Sequence, residues 1–176
     1  VRRNETVRQL IDRLHSAKIS ASEEGGNPLS DSVAVQLVMS VLQVADHPGN
    51  TIARFHVAQS PLGKALGYTN HRRHDLAEQF ARRIRRRLQA EGYGKVLREW
   101  ADELLPFCGP RGRRRLNQMV ELSYTWQAHA TLRTSDFLRF LSRKQVPDPT
   151  TDNIRVMTVH QSKGLEFDIV VLPDLD

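Results

Sequence analysis

Apolar residues recur at helical spacing along most of the chain. Val7, Leu10, Ile11 and Leu14 form one stripe, which predicts an amphipathic helix over residues 5–18. Asn4 is a plausible N-cap for it, and acid follows in the first turn. Ile19-Ser20-Ala21-Ser22 reads as short and extended, and Gly25-Gly26-Asn27-Pro28 as a turn cluster. Ser30-Asp31-Ser32 then caps the segment Val33 to Ala45, apolar on most faces and therefore expected at the centre of a core. A further helix is expected from Thr51 to Gln59, stopped by Ser60-Pro61-Leu62-Gly63. Leu76, Phe80, Ile84 and Leu88 step by four, while Arg82, Arg83, Arg85, Arg86 and Arg87 crowd the rest. That pattern predicts one long helix with a basic outer face. Gly92-Tyr93-Gly94 breaks it, and Val96, Leu97, Trp100, Leu104 and Leu105 mark the next helix. Residues 113–130 continue with Leu116, Met119, Val120 and Ser123 on one side, and Ser135-Asp136 caps a last helix from Phe137 to Arg143.

After Gln145 the pattern changes. Val146-Pro147-Asp148-Pro149-Thr150 reads as a linker, and Arg155-Val156-Met157-Thr158-Val159 as a strand. The polar stretch HQSKGLEF follows, then Ile169-Val170-Val171-Leu172, whose apolar run reads as a fully buried strand. A helical middle between α/β edges predicts a mainly α chain in which residues 25–149 are inserted between flanks 1–24 and 150–176. The chain begins without an initiator methionine and closes on a strand with few neighbours to be buried against. It is expected to be a fragment of a longer protein.

Composition narrows the class. Hydrophobic content of 39% over 176 residues with few aromatics suits a soluble, helix-rich chain. No apolar run approaches the roughly 18 residues of a membrane span. Cys108 is the single cysteine, so no internal disulfide can form; its expected role is a small buried apolar residue, in a cytoplasmic setting. The net charge is +6 and uneven: Asn70 to Arg115 holds twelve Arg and one Lys against six acids. Concentrated arginine suggests a polyanion partner, and a solvated helix face is the competing explanation.

Candidate chemistry centres on residues 160–167, HQSKGLEF. A lysine beside a glycine invites comparison with a phosphate-binding loop, but the G-x-x-x-x-G-K-[ST] order is absent. Strand, polar turn, strand is instead the layout of a RecA-like motor domain, whose ligands lie on loops past the strand ends. A small residue there admits backbone to phosphates, and a carboxylate suits ribose hydroxyls better than phosphates, which it repels. The run from Val156 through Thr158, His160, Lys163, Gly164 and Glu166 to Leu172 resembles motif V of the UvrD/PcrA/Rep class of superfamily 1 DNA helicases, which includes subunits of the RecB and AddA type. The start of the chain, and Glu23 to Leu29, resemble that class more weakly at the edge of its inserted accessory domain.

The resemblance implies that Thr158 and His160 lie along single-stranded DNA, with Lys163 a DNA-side or coupling contact, and that Gly164 and Glu166 face the nucleotide. It implies ATP and Mg²⁺ as ligands of the intact enzyme, and single-stranded and duplex DNA as partners, with protein partners open to the helical insertion. The phosphate loop, the acidic Mg²⁺ motif and the later arginine motif are missing, so this chain by itself is expected not to hydrolyse ATP. Arg113, Arg114 and Arg115, with Arg111, follow Gly109-Pro110 and suggest a phosphate-gripping helix start. His71 and His74 lack the further ligands a zinc site needs. Trp100, Tyr124 and Trp126 can stack on bases, but on helices they are more often core. Two competing readings are a helical binding module without enzymatic role and a helix-turn-helix regulator; the latter leaves HQSKGLEF unexplained.

Overall fold

A computed structural model describes residues 4–23, 27–126, 133–146 and 154–173. The chain divides into two compact units, residues 28–144 and residues 1–27 with 145–176.

The larger unit is helical: α2 (Val33–Asp46), α3 (Thr51–Ala58), α4 (Pro61–Ala65), α5 (His74–Glu91), α6 (Tyr93–Leu104), α7 (Pro110–Trp126) and α8 (Thr134–Arg143). Helix α2 packs against α3, α5, α7 and α8. Its Val35, Val38, Val41, Leu42 and Val44 are completely buried, as its all-round apolar character requires. Each such side chain contributes about 1.5–3 kcal/mol of transfer free energy. Trp100 and Leu97 of α6, Leu116 and Met119 of α7, and Phe137 of α8 fill the remaining core. Thr134 donates its hydroxyl to the Leu42 carbonyl at 2.9 Å, and Ser135 N donates to Asp46 Oδ1 at 3.4 Å. Helix α8 therefore starts one residue before the expected Ser135-Asp136 cap, with an acceptor supplied by α2.

Helix α4 occupies the residues expected to be a stop signal. Ser60 accepts from Gly63 N at 3.0 Å and Pro61 occupies the first turn, so the same residues that end α3 begin another helix. Gly92, at φ 83°, makes the break between α5 and α6 that a side chain would oppose. Residues 127–130, expected in α7, lie outside the described residues, as do Gly25, Gly26 and the Pro147–Thr150 linker.

The smaller unit holds α1 (Asn4–Ser16), β1 (Ala21–Glu23) and β2 (Ile154–Val156). The strands pair in parallel, Ala21 opposite Ile154 and Glu23 opposite Val156. Val7, Ala21 and Val156 form a buried cluster, with Leu10, Ile11 and Leu14 packed against it. The strand expected over 155–159 ends at Val156, because the chain turns at Thr158. Ile169–Leu172, expected as a buried strand, has no regular structure; Ile169 is 83% and Val171 79% exposed. A strand needs a neighbouring backbone to satisfy its N–H and C=O groups, and among the described residues none pairs with this run.

Candidate functional site

The HQSKGLEF loop is built on a reciprocal cap. Gln161 N donates to Thr158 Oγ1 at 3.3 Å, while Thr158 N donates to Gln161 Oε1 at 2.8 Å. Thr158 Oγ1 also lies 2.9 Å from Gln161 Oε1. This is the capping-box exchange that opens a helical turn, and Ser162 N continues it with a bond to Thr158 O at 3.1 Å. Ser162 Oγ donates back to Val159 O at 2.9 Å, and Leu165 N to Ser162 O at 3.1 Å. Gly164 ends the turn at φ 84°, a left-handed position with open space where a Cβ would stand.

This cap sorts the candidate residues. Thr158, expected along DNA, is 6% exposed, and its hydroxyl is held inside the turn. His160, Lys163, Gly164 and Glu166 are all exposed. The stretch 160–166 thus carries a cation-capable ring, an ammonium, a bare backbone and a carboxylate around one braced turn. Gln161 was not singled out from the sequence. Its signal was the Thr-x-x-Gln spacing, the pattern of a capping box.

The arginines at the base of α7 differ in burial and in partners. Arg115 is 1% exposed, with Nε 3.5 Å from Asp31 Oδ1 and Nη1 3.1 Å from Gln118 Oε1. Arg111 Nη2 meets the other Asp31 oxygen at 2.7 Å. The Asp31 side chain is itself 5% exposed, in the 3₁₀ turn before α2. Arg113 is exposed and donates its Nε to the Cys108 carbonyl at 3.0 Å; Arg114 is half-buried. Of the three arginines expected to grip phosphate, Arg115 is thus buried beneath the surface, because a carboxylate far earlier in the chain is set against it. Cys108 is half-buried, and that burial pushes its thiol pKa up despite the nearby Arg113.

The other candidates scatter. His74 Nε2 lies 3.3 Å from Glu78, whereas His71 meets the Phe55 ring edge-on at 5.1 Å, so the pair does not converge. Among the described residues no group of His, Cys, Asp and Glu is arranged to hold a metal ion. Trp100 is core at 1% exposed; Tyr124 is 55% exposed and lies across Gly94, and Trp126 packs with Phe137 and Phe140. No helix among the described residues is long and apolar enough to cross a membrane.

The mainly helical fold with a small parallel sheet, and the strand-to-turn motif at its edge, point to one class of protein. The chain belongs to the UvrD-like helicase C-terminal domain family, whose model matches residues 3–176. Similar curated proteins include the A subunit of the ATP-dependent helicase/nuclease from Leuconostoc mesenteroides. It is 23% identical over 205 residues, which cover 95% of this chain and 17% of that protein. The protein of the same name from Desulforudis audaxviator is 26% identical over 211 residues, 94% of this chain and 17% of its own length. That of Lactiplantibacillus plantarum is 30% identical over 79 residues, 38% of this chain and 6% of its own length. The chain therefore spans about a sixth of the length of the relatives that cover it most fully. No solved structure matches it.

Proposed function

We propose that this chain is part of an ATP-dependent DNA helicase that translocates on single-stranded DNA and unwinds duplex in repair or recombination, working in the cytoplasm. In this reading residues 1–24 and 150–176 belong to the second of two RecA-like motor domains. Residues 25–149 are a helical accessory insertion that meets duplex DNA or a protein partner. The observation that carries the reading is the family match across residues 3–176, which includes the capped loop with its exposed ligand groups.

Within that loop, Thr158, His160 and Lys163 are assigned to the single strand, with the Thr158–Gln161 cap setting the turn that presents them. An ammonium and an imidazole donor suit phosphate oxygens. Gly164 and Glu166 are assigned to the nucleotide. The open left-handed glycine lets a ligand approach backbone, and the Glu166 carboxylate accepts hydrogen bonds from ribose hydroxyls while repelling phosphates. These residues fit the sugar end of ATP, so the triphosphate and its Mg²⁺ are held by parts of the intact enzyme other than this loop. When bound, Mg²⁺ supplies charge neutralisation on the phosphates. One short loop touching both ligands is a physical means of coupling nucleotide state to strand position.

The test is ATP hydrolysis with and without single-stranded DNA. The full-length protein carrying this chain should hydrolyse ATP with stimulation by the strand, and the purified 176-residue chain should not. Clear turnover by the chain alone, or no stimulation in the full-length protein, would refute the reading.

A further inference from the structure

The five arginines between positions 82 and 87 of α5 are not one basic face. Arg85 is half-buried and donates to the Ala45 carbonyl at the end of α2. Arg87 is half-buried between Glu91, at 2.9 Å, and Glu99. Both are used inside the fold. Gln79, Arg82, Arg83 and Arg86 are exposed instead and line a shallow depression of about 290 Å³. Spacings of three and four put these four side chains on one side of the helix.

Each exposed arginine is in a different state of readiness. Arg86 has no hydrogen-bond or ion-pair partner among the described residues. Arg82 lies 3.6 Å from Glu78, an exposed pair that contributes little and yields to a better acceptor. Arg83 is held over the Phe80 ring at 5.4 Å and donates to the Leu66 carbonyl, which orders its guanidinium at the surface. We infer that Gln79, Arg82, Arg83 and Arg86 form a binding site for the phosphate backbone of duplex DNA, read without regard to sequence.

The guanidinium fork matches phosphate oxygens, and its weak hydration favours that contact over a lysine's. Arg82 and Arg86 stand one turn apart, about 6 Å along the helix axis. That is close to the axial rise of about 3.4 Å per phosphate taken twice along one DNA strand. A helix α5 aligned with the duplex axis therefore spaces these two guanidiniums at close to the axial span of two phosphate steps. Single-strand binding adds aromatic rings on which bases stack. The stripe has none exposed, since Phe80 is 3% and Tyr68 3% exposed. This favours a duplex backbone over an unpaired strand.

The site deepens the proposed function by giving the accessory insertion a duplex contact, yet its test is separate from that of the loop. Fluorescence anisotropy of a short blunt duplex is measured with the 176-residue chain across a salt series. The variant Arg82→Gln/Arg86→Gln removes the two guanidiniums least tied to the fold, and adding Arg83→Gln removes the third. The double variant should weaken duplex binding at every salt concentration and lower the log–log salt slope by about 1.8, the triple by about 2.7. Loss should be the same for duplexes of unrelated sequence, with far-UV circular dichroism unchanged. Unchanged affinity and slope in the double variant overturn the site. So does wild-type binding to polyglutamate or to a single-stranded oligonucleotide that is tighter than to the duplex and is lost in the same variants. Arg143→Gln, at an exposed cation of α8 outside the stripe, should leave duplex affinity and slope as they are; the loop is tested by ATP hydrolysis, so failure of the loop assignment and failure of this site are read in different assays.

Discussion

The clearest energetic consequence lies at the buried carboxylate beneath α7. Asp31→Asn keeps the shape of the side chain and removes its charge. In the structure that charge sits 3.5 Å from the Arg115 Nε, with Asp31 5% and Arg115 1% exposed. At an effective dielectric of about 20, unit charges at that distance attract by roughly 4–5 kcal/mol. Relief of the Asp31 desolvation takes back part of this, leaving about 3 kcal/mol, the low end for breaking a buried ion pair. Arg111 adds little, because its side chain is 51% exposed and its pair with Asp31 is partly screened. The new amide also turns a donor toward two donors. For a helical unit of residues 28–144 this corresponds to a fall in Tm of roughly 10 °C. Thermal unfolding followed by circular dichroism and calorimetry measures it, with Arg113→Ala as the exposed control, expected within about 0.5 kcal/mol of wild type. If Asp31→Asn lowers Tm no more than that control does, the Asp31–Arg115 pair does not hold the fold together.

Two further outcomes test the packing. An added Cβ at Gly63 would lie 2.0 Å from the Val57 carbonyl oxygen and 2.9 Å from that of Tyr68, both backbone. Gly63→Ala should cost about 2–3 kcal/mol despite the roughly 1 kcal/mol helix preference of alanine. At Gly94 the clash is with the Tyr124 ring, which is 55% exposed and can swing outward, so Gly94→Ala should cost less; equal or reversed losses in urea unfolding would contradict this. Burial, then the Asp46 and Asp136 charges, push the Tyr93 hydroxyl up to about 12. An unfolded tyrosine ionises near about 10. The stability due to neutral Tyr93 is therefore complete below about pH 10 and lost as pH rises through about 12. Tyr93→Phe should flatten the pH dependence of unfolding in that window, and parallel profiles would show that Tyr93 does not set it.

The sequence exposed what is periodic or local and hid what is paired at a distance. Helices α2, α5 and α6 were legible because their apolar spacing is set by their own faces. The capped turn at 158–161 was equally local, written in a Thr-x-x-Gln spacing that went unread. Ser60-Pro61 was read rightly as the stop of α3 but not as the start of α4, because residues that end one helix are also those that start another. The arginine runs could not be sorted from sequence. Arg115 is separated from Arg113 by burial against Asp31, and Arg85 and Arg87 from Arg82 and Arg86 by acceptors on other helices. Ile169–Leu172 has strand composition, but strand structure requires a paired backbone that no described residue supplies.

The most direct measurement is a pair of titrations on the full-length protein: ATP hydrolysis against single-stranded DNA at saturating ATP, and against ATP at saturating DNA. A lost charge-assisted or buried hydrogen bond is worth about 1.5–3 kcal/mol, on the order of tenfold or more in a binding constant. His160→Ala should raise the DNA concentration for half-stimulation by about that factor while KM for ATP stays within about twofold. Glu166→Ala should raise KM for ATP by a similar factor and leave the DNA titration nearly unchanged. Identical profiles for the two variants would contradict a loop that meets DNA on one side and nucleotide on the other.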